Sequence, residues 1–220
     1  MDTQETIKEI KKQFRLFMNG VVSQSMREKG LDYKVNFGIE LPRLKEIASK
    51  FEKNHDVAQA LWKENIRECK IVAGLLQPVD TFYPDIADIW VEDMRYLEIA
   101  ELTVMNLFQH LPYASEKAFE WIAREEPYFQ FCGYMLVARL LMKYGELNER
   151  AENELLDQVV PALSGESGFV FRAASTAMRK YASQSKENAR KVRGVLISLP
   201  SSERPEVLSL LEETKILTES

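Results

Sequence analysis

Cysteine and histidine are scarce in this sequence, with two of each among 220 residues. Cys69 and Cys132 are too few for a disulfide framework, and neither they nor His55 and His110 occur at metal-ligand spacing. The motifs GxGxxG, GxxxxGKS/T and GxSxG do not occur, which leaves dinucleotide-binding, P-loop and hydrolase-elbow sites without support. A metal site would have to be built from carboxylates alone, and we expect none.

Long apolar runs are also missing. No uninterrupted apolar stretch approaches the roughly 18 residues that a membrane span needs. The N-terminal segment MDTQETIKEIKKQF is amphipathic and lacks the hydrophobic region of a signal peptide. We therefore expect a cytoplasmic protein that does not contact membranes. With 45% hydrophobic and 29% charged residues, the chain has a globular composition, and we predict that residues 1–220 form one domain.

Charge is unevenly distributed along the chain, whose net charge is −5. Residues 7–53 contain eleven basic and six acidic residues, a net +5, and residues 165–195 contain seven basic and two acidic residues, also a net +5. Between them, residues 85–126 carry three basic and ten acidic residues, a net −7. A polyanion responds to such local fields more than to the total charge.

Helical periodicity dominates the sequence, and almost no alternating pattern indicates a strand. Most of the eight prolines lie where periodic segments meet, as helix starts and stops should. The predicted helices cover 3–18, 20–29, 41–53, 55–64, 66–77, 82–93, 96–110, 113–125, 128–144, 148–163, 168–183, 186–198 and 203–215. Because the connections are short, neighbouring helices should be antiparallel.

A weak internal repeat accompanies these helices. The phrases ALWKENIRE, DIWVEDMRY and FEWIAREEP place tryptophans at 62, 90 and 121, which are 28 and 31 residues apart. Helix pairs recurring at this spacing are typical of an α-solenoid, whose units bury their apolar faces by stacking. We therefore predict an all-α solenoid of antiparallel helix pairs and assign the tryptophans to packing between repeats rather than to ligand stacking.

Two carboxylates interrupt the apolar segment RYLEIAE (95–101). On a helical wheel, Glu101 lies at the border of the apolar arc of helix 96–110 and Glu98 lies beyond it. A carboxylate at such a border can be partly desolvated and have a raised pKa, as a catalytic acid or base requires. A solvated helix flank that carries two glutamates is the simpler interpretation, and the sequence leaves both open.

A polar stripe runs along the segment FVFRAASTAMRKYA (169–182), opposite its apolar face. Its members are Arg172, Ser175, Thr176 and Arg179, with Lys180 at the edge. Guanidinium groups interleaved with hydroxyls suit a phosphate backbone, because arginine binds two phosphate oxygens while serine and threonine add neutral donors. Ordinary solvation explains a polar stripe equally well.

Several segments together resemble the DNA alkylation repair family, the AlkD-like alkylpurine DNA glycosylases. NFGIELPRLKEIASKF (36–51) resembles the family's YGV-x-x-P-x-LR-x-IAK opening, and ALWKENIRECKIVAGLL (60–76) resembles its LW…RE…A helix pair. FVFRAASTAMRKYA resembles its F-I/V-x-KA-I-G-W-x-LRE helix. The resemblance implies a right-handed superhelix of HEAT-like repeats with a basic concave face, which agrees with the predicted solenoid.

The resemblance also implies a function: excision of N3- or N7-alkylated purines from duplex DNA without metal or cofactor. The family's catalytic phrase WDLVD falls on Leu97–Glu101, so that Glu101 takes the place of the catalytic aspartate and Glu98 that of the earlier one. The polar stripe would then bind DNA. The sequence departs from the family where Leu97 and Thr176 replace tryptophans and where FQFCGY (129–134) lacks an arginine. These departures predict weakened or absent glycosylase activity.

Two alternatives remain open at this stage. A noncatalytic HEAT-repeat scaffold would bind a protein partner, and its acidic middle would favour a basic one. An enzyme of another class would use Glu98 and Glu101 as a carboxylate pair, but one helical turn places both on the same side of a substrate. Such an enzyme would need a further catalytic group from another helix.

Overall fold

The computed structural model describes residues 2–200 and 202–219. In that part of the chain there are thirteen α-helices and two short 3₁₀ helices, and no strand beyond an isolated bridge between Val35 and Ile66. The α-helices are α1 Thr3–Leu16, α2 Gly20–Glu28, α3 Leu41–Ala48, α4 His55–Trp62, α5 Arg67–Leu76, α6 Pro84–Glu92, α7 Leu97–Asn106, α8 Ala114–Ile122, α9 Pro127–Tyr144, α10 Glu149–Ser164, α11 Gly168–Ala182, α12 Lys186–Ser198 and α13 Pro205–Glu219. The prediction of an all-α fold is confirmed.

Several of the thirteen α-helices of the described residues begin at an asparagine cap or a first-turn proline that the sequence shows. The side chains of Asn19, Asn54 and Asn148 each accept a hydrogen bond from the backbone N–H three residues later, which satisfies an amide that has no partner inside the helix. Proline occupies the first turn of α3, α6 and α9, where its missing N–H removes no helical hydrogen bond. These signals explain why the predicted helices recur with small shifts at their ends.

Helix α3 is shorter than predicted, because it ends at Ala48 rather than at residue 53. Asn54 caps α4 from an extended backbone conformation, with φ −149° and ψ 125°. The chain therefore has to leave the helical conformation before Asn54. The periodicity of residues 49–53 did not show this break.

The chain divides into two compact units, Met1–Leu111 and Pro112–Ser220. The first unit holds α1 to α7, and the second holds α8 to α13. The single domain expected for residues 1–220 stays a prediction. Across both described ranges, no helix combines the length and the apolarity needed to cross a bilayer.

Aromatic packing links successive helix pairs in the first unit. The rings of Trp62 in α4 and Trp90 in α6 stack with centroids 3.9 Å apart and an interplanar angle of 4°. Phe82 meets Trp90 edge to face at 4.8 Å, and the indole N–H of Trp90 donates to Gln59 Oε1 at 3.2 Å. Such aromatic pairs add about 0.5–1.5 kcal/mol beyond the area that they bury. The predicted role of Trp62 and Trp90 in packing is confirmed.

Helix α9 is the central element of the second unit and packs against both α8 and α11. The two helices α8 and α9 pack tightly at Gly133, where a Cβ atom would lie 2.8 Å from the Ala118 carbonyl oxygen and 2.6 Å from Ile122 Cγ2. The α8 backbone leaves no room for a side chain at this position of α9, so a glycine is required there. Tyr134 follows it and donates from its hydroxyl to the Gln158 carbonyl oxygen at 2.7 Å.

Replacing Gly133 by alanine is expected to lower the free energy of unfolding of the second unit by about 1–3 kcal/mol, because the added methyl group forces α8 and α9 apart. Urea unfolding followed by circular dichroism measures the change. Gly194 in α12 provides the matched control, since a Cβ atom there meets nothing within 4 Å. Gly194→Ala should raise stability by about 0.4–1 kcal/mol. Equal stability of the two variants would contradict the close helix contact.

Candidate nucleic-acid interface

Helix α11 separates a buried apolar face from a polar one. Small and apolar residues such as Ala174, Ala177 and Met178 are buried where α11 packs on α9, so the remaining side chains face away from the core. Of the residues predicted to bind DNA, Arg172, Arg179 and Lys180 are exposed, Thr176 is half-buried and Ser175 is buried. The predicted stripe therefore exists as a face of the helix, but it is not uniformly solvated.

An open groove of about 1050 Å³ follows this face within the second unit. It lies between the C-terminal end of α10, the polar face of α11 and the first turns of α13. Four of the five predicted residues line it, together with one arginine that the sequence interpretation missed. These residues are Arg172, Ser175, Thr176, Arg179 and Arg204. Lys180 lies outside this groove and lines a smaller, more apolar depression beside α13.

The three arginines of the groove are held differently. Arg172 has no hydrogen-bond or ion-pair partner for its guanidinium group among the described residues. Arg204 Nη1 donates to the Gly165 carbonyl oxygen at 3.0 Å, a contact that orients the group without neutralising it. Arg179 forms an ion pair with Glu213. Two positive charges thus remain uncompensated by these partners, although the carboxylates of Glu166 and Glu206 also line the groove.

Ser175 is the buried member of the set. The residue is 2% exposed, and its hydroxyl has no hydrogen-bond partner among the described residues. A buried hydroxyl without a partner costs about 1–3 kcal/mol. Because Ser175 lines the groove, a small displacement of the wall would offer this donor to a ligand oxygen.

Arg204 could not be found from the sequence pattern. It lies in the turn before Pro205, outside the predicted stripe, and comes to the groove only because α13 packs on α11 and α12. The only sequence signal is its place just before a proline that starts a helix, which positions a side chain at a helix N-terminus without saying what it faces.

Glu98, one of the two predicted catalytic carboxylates, is bound by an arginine of the same unit. Arg67 Nε donates to Glu98 Oε2 at 2.8 Å, and Arg67 Nη2 donates to Glu98 Oε1 at 2.5 Å. This two-point pairing joins the first turn of α5 to the first turn of α7. The Glu98 side chain is 29% exposed, whereas that of Arg67 is 3% exposed.

A buried network extends from this pair. Arg67 Nη1 donates to the Ile39 carbonyl oxygen at 2.8 Å and to Glu68 Oε1 at 3.1 Å. The backbone N–H groups of Phe37 and Ile39 donate to the Glu68 carboxylate. Burial by itself would lower the pKa of Arg67, but the hydrogen bond and charge of Glu98 raise it above its usual value. The network therefore ties α5, α7 and the segment before α3 together.

Glu101 lies one turn further along α7 and is exposed. The helical wheel had placed Glu101 nearer the apolar arc than Glu98, and the structure shows the opposite order. The reason is Arg67, which approaches from α5 and draws Glu98 towards the interior. The exposure of Glu101 agrees with the solvated helix flank, the simpler of the two interpretations that the sequence left open.

Two aromatic residues in or beside the segments that depart from the family, Tyr96 and Phe129, contact other side chains. Tyr96 packs against Tyr33 with ring centroids 3.9 Å apart and ring planes tilted by 36°, and its hydroxyl donates to Asp32 Oδ1 at 2.6 Å. Burial, followed by the charge of Glu98, raises the pKa of Tyr33 well above its usual range. In the second unit, the guanidinium of Arg124 covers the Phe129 ring at 4.2 Å.

Comparison with known proteins supports the family resemblance. The sequence matches the family described as DNA alkylation repair enzyme over residues 4–193, whereas the comparison with curated proteins gives no match. One similar solved structure is of a protein described as belonging to a new family related to the HEAT-like repeat DNA glycosylases, with affinity for branched DNA structures. The TM-score is 0.74, with 15% identity, over 90% of this chain and 83% of that one.

At this identity the structural likeness establishes the fold, and it confirms the predicted HEAT-like helical repeats. No group of three or more potential metal ligands occurs within residues 2–200 and 202–219. The family match covers most of the chain, from α1 to α12. This chain belongs to the DNA alkylation repair family.

Proposed function

We propose that this protein binds DNA through the groove of α11, with backbone phosphates held by Arg172, Arg179 and Arg204. The observation that carries the proposal is the convergence of these three guanidinium groups on one groove. Arginine donates two parallel hydrogen bonds to a phosphate, and a guanidinium without a carboxylate partner gives up no ion pair to do so. Ser175 would add a hydroxyl donor. Thr176 would add another only by leaving the Arg172 carbonyl oxygen, to which its hydroxyl donates at 2.8 Å. Lys180 would contribute charge at the edge.

Branched DNA is the ligand to compare first with plain duplex. The solved protein of similar fold is described as having affinity for branched DNA structures, and we extend that ligand class to this chain as part of the proposal. A junction brings phosphates of different strands close together, which raises the local negative potential that arginines respond to. The segment 165–195, which contains α11, carries a net +5 and suits such a ligand.

Glycosylase activity towards N3- and N7-alkylpurines is, under this proposal, weak or absent. Glu101 is the carboxylate that stands in the family's catalytic position, and it is exposed on α7. We assign Glu98 a positioning role instead: both of its oxygens accept hydrogen bonds from Arg67, which holds the first turn of α7 against α5. Leu97 and Thr176 do not supply the aromatic surfaces that would bind a cationic base.

Titration of the protein against a fluorescent three-way junction and a duplex of equal length tests the proposal. We expect binding of both, tighter for the junction, with an affinity that falls as salt rises because bound phosphates release counterions. Binding should be unchanged by EDTA, since the proposal involves no metal. No detectable binding at low salt would contradict the proposal and favour the alternative of a HEAT-repeat scaffold for a protein partner.

Release of 7-methylguanine and 3-methyladenine from methylated duplex addresses catalysis separately. We expect little or no release above the spontaneous rate. Release that the wild-type protein shows and the Glu101→Gln variant lacks would make Glu101 catalytic and the protein an active glycosylase. The cytoplasmic location expected from the sequence stays a prediction.

A further inference from the structure

Glu213 in α13 forms an ion pair with Arg179, one of the arginines that the proposed interface would use. Arg179 Nε donates to Glu213 Oε2 at 2.6 Å, and Arg179 Nη2 donates to Glu213 Oε1 at 3.2 Å. The carboxylate therefore covers the Nε/Nη2 edge of the guanidinium, one of the two edges through which an arginine binds two phosphate oxygens. A carboxylate and a phosphate cannot both take these two donors.

We propose that Glu213 acts as an internal competitor for the DNA phosphate at Arg179 and so limits which DNA the groove binds well. This inference rests on the proposed function. The ion pair is suited to such competition because both side chains are partly exposed, at 42% and 43%. Exposed ion pairs are weak, so a ligand of sufficient negative charge can displace the carboxylate.

Arg172 and Arg179 differ in how readily they can bind a phosphate. Arg172 has no partner to release among the described residues, so it can bind a phosphate directly. The Nε/Nη2 edge of Arg179 becomes available only after Glu213 has been displaced. An isolated phosphate, already bound by Arg172, gains little binding free energy from Arg179. Closely spaced phosphates can use both arginines and gain more. Glu213 lies in α13, beyond residues 4–193 that match the family, so the competitor is supplied by a segment outside the matched region.

The Glu213→Gln variant tests the inference through its dissociation constant for a fluorescent duplex. Removing the competing charge should tighten binding about two- to fivefold, the factor that corresponds to losing an exposed ion pair. Glu212→Gln is the matched control, because it removes the same charge from the neighbouring position of α13, where Glu212 faces Lys215 at 3.9 Å. This control should change the affinity by less than the Glu213 variant does.

Repeating both substitutions in an Arg179→Ala background separates competition from a general charge effect. There, Glu213→Gln should have no more effect than Glu212→Gln, since the arginine for which Glu213 competes is gone. Unchanged or weaker binding by Glu213→Gln in the native background would overturn the inference, because Glu213 would then position Arg179 for its ligand. Equal gains from the two glutamines would overturn it as well. Absence of binding by every variant would instead overturn the proposed function on which it rests.

Discussion

The Arg67→Ala variant is expected to lose about 3–5 kcal/mol of the free energy of unfolding of the first unit, the cost of removing one partner from a buried ionic network. Glu68 has no exposed surface in its side chain, so its carboxylate would remain buried with only the backbone N–H groups of Phe37 and Ile39 as donors. Glu98 would lose both of its hydrogen bonds from Arg67. The contact between α5 and α7 should weaken together with them.

Urea unfolding followed by tryptophan fluorescence measures this loss, because Trp62 and Trp90 report on the first unit. Arg43→Ala is the matched control: it removes an arginine of the same unit that pairs with Glu46 and has a side chain 44% exposed. That substitution should cost less than about 1 kcal/mol. A loss at Arg67 no larger than the loss at Arg43 would show that the network does not stabilise the fold. Arg67→Lys should restore only part of the stability, because an ammonium group cannot reproduce the two parallel hydrogen bonds to Glu98.

The second large expected effect is a loss of DNA affinity when two arginines of the groove are removed. Replacing both Arg172 and Arg179 by alanine should weaken duplex binding at least about tenfold at moderate salt, since two phosphate contacts of roughly 1 kcal/mol or more would be lost. Both side chains are exposed, so the substitutions should leave the fold intact. Circular dichroism and thermal unfolding of the double variant verify that point.

A control variant has to separate the effect of losing positive charge from the effect of losing the arginines of the groove. Arg150 in α10 and Arg190 in α12 are exposed and do not line the groove, so the variant with both replaced by alanine has the same net charge as the groove variant. It should bind DNA within about threefold of the wild-type protein, because exposed charges that do not line the groove act on the ligand only through salt-screened solvent. Equal weakening in the two double variants would mean that the groove has no special part in binding.

Local sequence signals predicted the helices because the physics that starts and ends a helix is local. Asparagine caps and first-turn prolines act within a few residues, and apolar periodicity selects the buried face. The two tryptophans at 62 and 90 were correctly assigned to packing for the same reason: their spacing repeats with the helix pairs. Where another local signal competed, as at Asn54 after α3, the predicted boundary was wrong.

The arrangement of the site depends on contacts between residues distant in sequence. A helical wheel does not show such contacts. Arg67 lies 31 residues from Glu98, yet it decides which carboxylate of α7 is drawn inward. Arg179 lies 34 residues from Glu213, and that pairing changes a free cation into one that is already engaged. A wheel shows which face of a helix is polar, but the partner of each polar group is set by how helices pack.

The salt dependence of duplex binding, measured for the wild-type protein and for the variant with Arg172 and Arg179 both replaced by alanine, tests the central claim most directly. Each phosphate contact contributes a slope of about −0.9 to a plot of log affinity against log salt. If the groove of α11 binds backbone phosphates, the slope of the variant should be shallower by about two. Identical slopes for the two proteins, or no binding by the wild-type protein at low salt, would contradict the account.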